Sequence, residues 1–258
     1  GNMGGSLARL VAQDERYRNE LLLANRSRDK AEKIAAEVGG QPVSNAEVFA
    51  QAEVIFLGIK PAQFADLLAD YREILEKRDS LLLVSMAAGL TLEILEKLTP
   101  SHHRWIRMMP NTPVAVGEGV ISFALSQQAH QADEDLLREL LSSAGILVKL
   151  DEKQLDAATA LAGCGPAFVY LFIEALADSG VRAGLSRDIS LQLANQTLLG
   201  AAKLSQISGQ HPAQLKDQVC SPAGSTIAGV ASLEENAFRG TVMDAVQAAY
   251  KRTQELGK

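Results

Sequence analysis

The stretch G-N-M-G-G-S-L-A-R-L, Gly1 to Leu10, followed by E-L-L-L-A-N-R-S, Glu20 to Ser27, decides how the first half of this chain is read. Gly1-x-x-Gly4 matches the second half of the G-x-G-x-x-G fingerprint of dinucleotide-binding folds, with a helix expected from Gly4 through Leu10 and Val11. In that fingerprint one glycine lets the backbone approach a pyrophosphate, and the next lets the helix pack on a strand. A first glycine and a central first strand are expected upstream of Gly1, because a doubly wound sheet without that strand leaves backbone groups unpaired. Glu20 to Ala24 reads as a short buried strand. Its end, Asn25, Arg26 and Ser27, falls about 20 residues past the glycines, where such folds select the ribose. An NAD site wants a carboxylate there. An amide, a guanidinium and a hydroxyl, with Arg28 following, suit a 2′-phosphate instead.

Strand and helix then alternate. Ala31, Ile34, Ala35 and Val38 follow helical spacing and stop at Gly39-Gly40. Val54 to Ile59 is an apolar strand ended by Lys60-Pro61, and Phe64, Leu67, Leu68 and Tyr71 make the next helix amphipathic. A lysine at the carboxyl end of such a strand faces the crevice where ligands sit. Leu81 to Ser85 is the next strand, and the small residues of Met86-Ala87-Ala88-Gly89 leave room for a flat ring. Thr91 is placed to cap a helix from Leu92 to Leu98. A strand from Arg104 to Met109 ends in P-N-T-P, Pro110 to Pro113, expected to be a stiffened loop. His102 and His103, between Pro100 and Arg104, are expected to be solvated. Gly119 to Leu125, a helix from Asp133 to Ser143, and Ile146 to Leu150 finish the unit.

Near Asp151 the periodicity switches to helix alone, so the chain divides into an α/β domain over 1–150 and an all-α domain over 151–258. The most apolar run, Thr159 to Ala177, contains Gly163, Gly165, Pro166 and Glu174 and is expected to be a buried helix rather than a membrane span. Ser186 is placed to cap a helix through Ile207 whose Leu191, Leu193, Ala194, Leu198, Leu199, Ala201, Ala202 and Leu204 lie on more than one face. A helix apolar on several faces must be covered on several faces, either centrally or by a second subunit.

Late in the chain, Asp217 to Val230 reads D-Q-V-C-S-P-A-G-S-T-I-A-G-V. Ser221 to Thr226 is a turn-prone run that opens a helix, and the exposed N–H groups of such a start suit a carboxylate. The net charge of -6 argues against nucleic acid or an anionic membrane as the main partner. Two cysteines among 258 residues make no disulfide framework, which fits a reducing cytoplasm, and four scattered histidines make no metal pattern. Cys164 reads as a packing residue, whereas Cys220 borders the Ser221 loop.

G-N-M-G, A-N-R-S, L-G-I-K-P, S-M-A-A-G, R-M-M-P-N-T-P, T-A-L-A-G-C-G-P-A-F and S-P-A-G-S-T-I-A-G, in this order along the whole chain, resemble pyrroline-5-carboxylate reductases. The resemblance implies reduction of 1-pyrroline-5-carboxylate to L-proline with NADPH or NADH. It implies a Rossmann domain followed by a helical domain that interlocks two subunits, with further assembly to a decamer. It places Gly1, Asn2 and Met3 on the pyrophosphate, Asn25, Arg26 and Ser27 at the adenosine ribose, and Asn45 near the adenine. Ile59, Lys60, Pro61, Met86, Ala87 and Ala88 would line the path to the nicotinamide. Ser221, Gly224, Ser225 and Thr226 would hold the substrate in a cleft between domains, with Thr226 as the catalytic contact to the imine nitrogen. Ala223 stands where the family usually has glycine, a change tolerated if the backbone there is not left-handed. Two other readings fit the same architecture. A β-hydroxyacid dehydrogenase-like oxidoreductase would need a catalytic lysine in the helical domain, with Lys203 and Lys216 available. A non-catalytic NADP-binding sensor would need no imine pocket.

Overall fold

Leu7, Leu10 and Val11 share one face of a helix, and that face is buried in α1 (Asn2–Val11) of the structure, a computed structural model that describes residues 1–256. Asp14 caps the short α2 (Glu15–Arg18) by accepting the N–H of Arg16. β1 (Leu22–Leu23) pairs in parallel with β2 (Gln41–Pro42), joined by α3 (Arg28–Val38), which ends at Gly39 in the left-handed conformation, φ 82°. α4 (Asn45–Gln51) opens on a reciprocal cap between Ser44 and Glu47.

A separate five-stranded sheet follows chain order: β3 (Val54–Leu57), β4 (Leu82–Ser85), β5 (Arg104–Pro110), β6 (Gly119–Leu125) and β7 (Gly145–Lys149). β3, β4 and β5 are parallel; β6 runs antiparallel to β5, and β7 parallel to β6. Ser85 lies opposite Arg107, so β5 continues through Met108, Met109 and Pro110 beyond the end of β4. The intervening helices are α5 (Phe64–Asp70), α6 (Arg72–Lys77), α7 (Leu92–Lys97) and α8 (Gln131–Leu140). Thr91 caps α7 by accepting the N–H of Ile94, as its position predicts.

Both faces of the sheet are covered, which is why β4 reads as an unbroken apolar run. Leu81 and Leu83 join Ile55, Leu57, Phe64, Leu68, Leu75 and Trp105 in one core. Leu82 and Val84 join Leu7, Leu10, Ile106, Met108, Phe123 and Leu137 in the other. Each such side chain, removed from water, stabilises the fold by about 1.5–3 kcal/mol. Trp105 is wholly buried because its indole N–H has a partner, Thr99 Oγ1 at 3.0 Å.

Several local expectations change. The first helix begins at Asn2 rather than Gly4, with Gly1 as its cap residue. The expected strand Glu20 to Ala24 shortens to Leu22–Leu23, held to its partner by the N–H groups of Gln41 on Leu21 O at 2.8 Å and Val43 on Leu23 O at 3.0 Å. His103 is buried rather than solvated: Leu81 donates its N–H to Nδ1 at 3.2 Å, and Nε2 donates to the Leu75 carbonyl at 3.0 Å. P-N-T-P is not a loop throughout. Pro110 closes β5, and Thr112–Val116 forms a 3-10 turn whose first residues need no N–H acceptor. The expected break at Gly163 to Pro166 is a π-turn, Thr159–Gly163, between α9 (Leu155–Ala158) and α10 (Gly165–Arg182).

The chain divides into two compact units, Gly1–Cys164 with the segment from Ala249 onward, and Gly165–Ala248. Residues 257–258 of the expected helical domain lie outside the described residues. The second unit holds α10, α11 (Arg187–Ser208), α12 (Pro212–Gln218), α13 (Ser225–Glu235) and most of α14 (Phe238–Glu255). Ser186 caps α11 by accepting the N–H of Ile189. α10 and α11 meet where a Cβ on Gly180 would stand 2.6 Å from Ser190 Oγ, so only glycine fits this crossing.

The run Thr159 to Ala177 is not buried within the protomer: Leu161 is 65% exposed and Leu171 66%. On α11, Leu193, Leu199, Leu204 and Ile207 are likewise exposed. These faces are apolar in sequence but have no cover inside the chain. By length and composition alone the helical stretch Glu152–Arg182 would also be apolar enough to cross a membrane.

Candidate active site

Helix starts and strand ends carry the candidate residues. At Gly1 the first helical bond runs from Gly5 N to Gly1 O at 3.0 Å, and no side chain caps α1. The N–H groups of Asn2, Met3 and Gly4 are therefore free to face an anion, and the helix dipole adds to the attraction. The end of β3 lies against this turn. A Cβ on Gly58 would meet Met86 Cε at 3.1 Å and the Gly4 Cα at 3.6 Å. Gly58, not singled out from the sequence, is thus the residue that lets strand end, helix start and Met86 come together. A Cβ on Gly4 would meet nothing within 4 Å, so packing does not require glycine there.

Ile59 and Met86 are half-buried, Ala87 is buried, and Lys60 and Pro61 are exposed at the carboxyl ends of β3 and β4. Ser85 Oγ accepts the N–H of Ala87 at 3.2 Å, and Gly89 turns the chain with φ 81°. Ala88 lies between them, half-buried. Lys60 opens a 3-10 turn, Pro61–Gln63, with Gln63 Oε1 accepting its N–H at 3.3 Å, which leaves its side chain at the crevice edge.

Past the carboxyl end of β1, Asn25 Oδ1 accepts the N–H of Ser27 at 3.1 Å. Arg28 is held by Glu32 at 2.9 Å one helical turn on. Among the described residues Arg26 has no hydrogen-bond or ion-pair partner, so its guanidinium is the one available to a phosphate. Asn45 is the first residue of α4, half-buried behind the Ser44–Glu47 cap. The Ser44 N–H and hydroxyl hold the Glu47 carboxyl below the usual carboxylate range.

The second helix start is α13. Ser221 to Gly224 form a turn closed by Gly224 N to Ser221 O at 3.0 Å, and Ala223 inside it has φ 57°. The backbone there is left-handed, so the condition on which an alanine is readily tolerated is not met; such a conformation costs an L-residue roughly 1–2 kcal/mol. Gly224, not a hydroxyl residue, is the cap residue, and no side chain caps the helix. The first helical bond is Ala228 N to Gly224 O, which leaves the N–H groups of Ser225, Thr226 and Ile227 open. Ser221, Ser225 and Thr226 are exposed.

Other chemistry is scarce around these residues. Among the described residues no three His, Cys, Asp or Glu side chains converge as metal ligands. Lys216 is paired to Asp217 at 2.7 Å, and that carboxylate raises its pKa, the wrong direction for a catalytic base. A surface cleft of about 500 Å³ is lined by Asp14, Glu15 and Glu139 with Leu10 and Ser143, and Asp14 and Glu139 are both paired to Arg16.

A family model described as pyrroline-5-carboxylate reductase dimerisation matches residues 152–256, and one described as NADP oxidoreductase, coenzyme F420-dependent, matches residues 1–89. The pyrroline-5-carboxylate reductase of Arabidopsis thaliana is 41% identical over 260 residues, covering 100% of this chain and 93% of its own. This chain belongs to the pyrroline-5-carboxylate reductase family. The pyrroline-5-carboxylate reductase of Pisum sativum is 49% identical over 213 residues, 83% of this chain and 77% of its own. Among solved structures, the Plasmodium falciparum pyrroline carboxylate reductase with NADP bound is 35% identical, with a TM-score of 0.88 over 100% of this chain and 95% of that one. The Coxiella burnetii pyrroline-5-carboxylate reductase is 29% identical, with a TM-score of 0.91 over 100% and 96%.

Membership settles the fold class, a Rossmann-type N-terminal domain followed by an all-α domain, and makes the chain an oxidoreductase that binds NADP. The dimerisation model covers the helices whose apolar faces are uncovered within the protomer, so pyrroline-5-carboxylate reductases of this kind oligomerise through that unit. The family shown is that of the reductases, and of the two lysines that a hydroxyacid dehydrogenase would draw on, Lys216 is paired to Asp217.

Proposed function

We propose that this chain catalyses the last step of proline biosynthesis, reduction of L-1-pyrroline-5-carboxylate to L-proline, with NADPH as cofactor and NADH as a weaker substitute. The observation that carries the site assignment is the uncapped start of α13, where three open N–H groups stand beside the Thr226 hydroxyl. A carboxylate fits the open N–H groups of Ser225, Thr226 and Ile227, with the Ser221 hydroxyl at the turn; the Gly224 N–H, expected to join them, is taken by the Ser221 carbonyl, so Gly224 serves the site through the turn it closes. As a hydride adds to the C=N carbon, electron density moves onto nitrogen, and a hydrogen bond from Thr226 strengthens with it.

Bound to this chain, NADPH supplies the hydride. Gly1, Asn2 and Met3 hold its pyrophosphate with the open N–H groups of α1. Asn25, Arg26 and Ser27 take the ribose and 2′-phosphate, with Asn45 toward the adenine. Ile59, Lys60, Pro61, Met86, Ala87 and Ala88 form the wall for the nicotinamide. The apolar faces of α10 and α11 support a homodimer, which we extend to a decamer. Two unpaired cysteines, Cys164 and Cys220, support a cytoplasmic setting.

The test is oxidation of NADPH with the imine as substrate, followed by absorbance, for wild type and Thr226→Ala side by side. The variant is expected to lose on the order of 10²-fold in kcat while binding NADPH normally. A wild type that binds NADPH and never consumes it with the imine would overturn the reductase reading in favour of a sensor.

A further inference from the structure

The geometry points to Glu152 as a positioning residue for the nicotinamide end of the cofactor, acting through the turn that carries Met86, Ala87 and Ala88. This inference rests on the reductase reading above, which gives that turn to the nicotinamide. The turn leaves β4 at Ser85 and enters α7 at Leu92. At its near end, Ser85 Oγ accepts the Ala87 N–H at 3.2 Å. At its far end, Glu152 Oε1 accepts the Leu92 N–H at 2.6 Å, across 60 residues of sequence. Leu92 is the first residue of α7, so its N–H has no carbonyl partner within the helix. Thr91 caps a different donor, the N–H of Ile94. Among the described residues, no other hydrogen bond joins residues 86–92 to a distant part of the chain.

Glu152 is itself held. Arg107 Nη1 donates to the same Oε1 at 3.2 Å, and Arg107 Nη2 donates to Asp156 Oδ1 at 3.0 Å. Arg107 is buried on β5, where it lies opposite Ser85 of β4. Leu155, three residues after Glu152, is wholly buried in the core that also takes Leu92 and Leu95. Both ends of the turn are thus referred to Arg107: Ser85 through the sheet ladder, and Leu92 through Glu152. Ion pairs taken out of water contribute little net stability compared with apolar side chains of the same volume, so this one is explained by the geometry it fixes.

All of these residues lie in the first compact unit, as do those assigned to the cofactor. The role of Glu152 is therefore played out on cofactor binding within that unit. Because one oxygen, Oε1, takes both bonds, the position requires a single acceptor at the reach of a glutamate. Glutamine supplies that acceptor without the charge. Aspartate is one carbon too short, and alanine supplies none. Asp156→Ala is the matched control, because it takes the other carboxylate from Arg107 and leaves the Leu92 N–H bonded.

The experiment compares Glu152→Ala, Glu152→Asp, Glu152→Gln and Asp156→Ala with wild type in the full-length chain. Calorimetry gives the affinity for NADPH and for a 2′-phosphorylated ADP, the adenosine half of the cofactor without its nicotinamide. Thermal unfolding is measured on the same samples. Glu152→Ala is expected to weaken NADPH binding by about tenfold, the order of one hydrogen bond to a charged group, and to leave the adenosine half unaffected. Glu152→Asp should show the same split. Glu152→Gln should bind both ligands as wild type does, and so should Asp156→Ala, even where it lowers the unfolding temperature. A carboxylate that only fastens its own segment to the sheet would make the two alanine variants alike, less stable and unchanged in NADPH affinity, and that result overturns the proposal. Equal losses for NADPH and for the adenosine half overturn it too, because the effect would then spread over the whole cofactor site. If Glu152→Ala does not fold, Glu152→Asp decides alone: wild-type NADPH affinity in that variant sinks the idea. A wild type that never oxidises NADPH with the imine overturns the reductase reading by itself, because both affinities are read without turnover.

Discussion

The Oγ of Ser221 fills the space that a Cβ on Gly224 would need, while the Gly224 N–H donates to the Ser221 carbonyl at 3.0 Å. The turn that opens α13 is therefore closed by contact between its first and last residues. Gly224→Ala must drive the Ser221 hydroxyl aside and press on its carbonyl. We expect KM for the imine to rise on the order of tenfold, the cost of one hydrogen bond to a charged group. NADPH affinity should not change. Steady-state kinetics paired with a cofactor titration checks both, and an unaltered KM would remove this turn from the substrate site.

Arg26 and Arg28 are adjacent in kind and two apart in sequence, yet only Arg28 is engaged, by Glu32 at 2.9 Å. Removal of Arg26 should weaken NADPH binding by about 10- to 100-fold, as expected for a charge-assisted bond to phosphate. NADH binding should be nearly untouched, because it carries no 2′-phosphate. Arg28→Ala should do little to either cofactor. Affinities for both cofactors, measured on both variants, separate the roles; equal losses for NADH and NADPH in Arg26→Ala would reject the 2′-phosphate assignment.

How much of this was legible in the sequence follows from what each segment contacts. β4 was legible because both of its faces are buried, so Leu81 to Val84 are all apolar. α7 was legible because Thr91 caps by its own side chain. The start of α1 was not, because Asn2, Gly4 and Gly5 are poor helix formers held in helix by the packing of Leu7, Leu10 and Val11. The π-turn was hidden for another reason: Ala158, Ala160, Leu161 and Ala162 are so uniformly apolar that a one-residue slip in period leaves no mark.

The helical unit shows the limit most clearly. Its sequence says that Leu193, Leu199 and Leu204 want cover, but not what covers them, and within the protomer nothing does. The motifs of the site, by contrast, sit at helix starts and strand ends, where backbone geometry is set by glycine and proline and is close to readable. Ala223 is the exception. In Pro222-Ala223-Gly224 the glycine looks like the left-handed residue, yet Gly224 has φ -77° and Ala223 has φ 57°.

That inversion makes a stability prediction. Ala223 and Ala237 are the non-glycine residues with positive φ among those described, and they bracket α13, with Ala237 at φ 55°. Ala223→Gly and Ala237→Gly should each stabilise the protein by about 1 kcal/mol, the left-handed cost less the extra entropy of unfolded glycine. Thermal unfolding should shift upward by about 2–4 °C for each. The sites are separated by a helix of three turns, so the double variant should show the sum. A downward shift would mean that neither alanine is strained.

His103 supplies a pH dependence with a definite sign. Burial lowers its pKa, and the neighbouring His102 imidazole, Arg78 and Arg104 push the same way, against the raising effect of the Leu75 carbonyl. Its Nδ1 is already occupied by the Leu81 N–H, so protonation would set two donors against each other. The unfolded imidazole takes up its proton near pH 6.5 while the folded one resists, so the unfolded state binds more protons as pH falls. Stability from this group is complete above pH 6.5 and is lost progressively below it, with a slope of at most about 1.4 kcal/mol per pH unit. Glu134, whose carboxyl is held below its usual range by Lys149 at 2.6 Å and by Arg138, contributes stability that is complete above the ordinary carboxylate value near 4.3 and is lost only as pH falls below it. The two windows are therefore separable. His103→Gln keeps one acceptor for Leu81 and one donor for Leu75 but cannot titrate. Denaturant unfolding between pH 7 and 5 should show a sloping stability for wild type and a flatter one for the glutamine variant. Equal slopes would place the titrating group elsewhere.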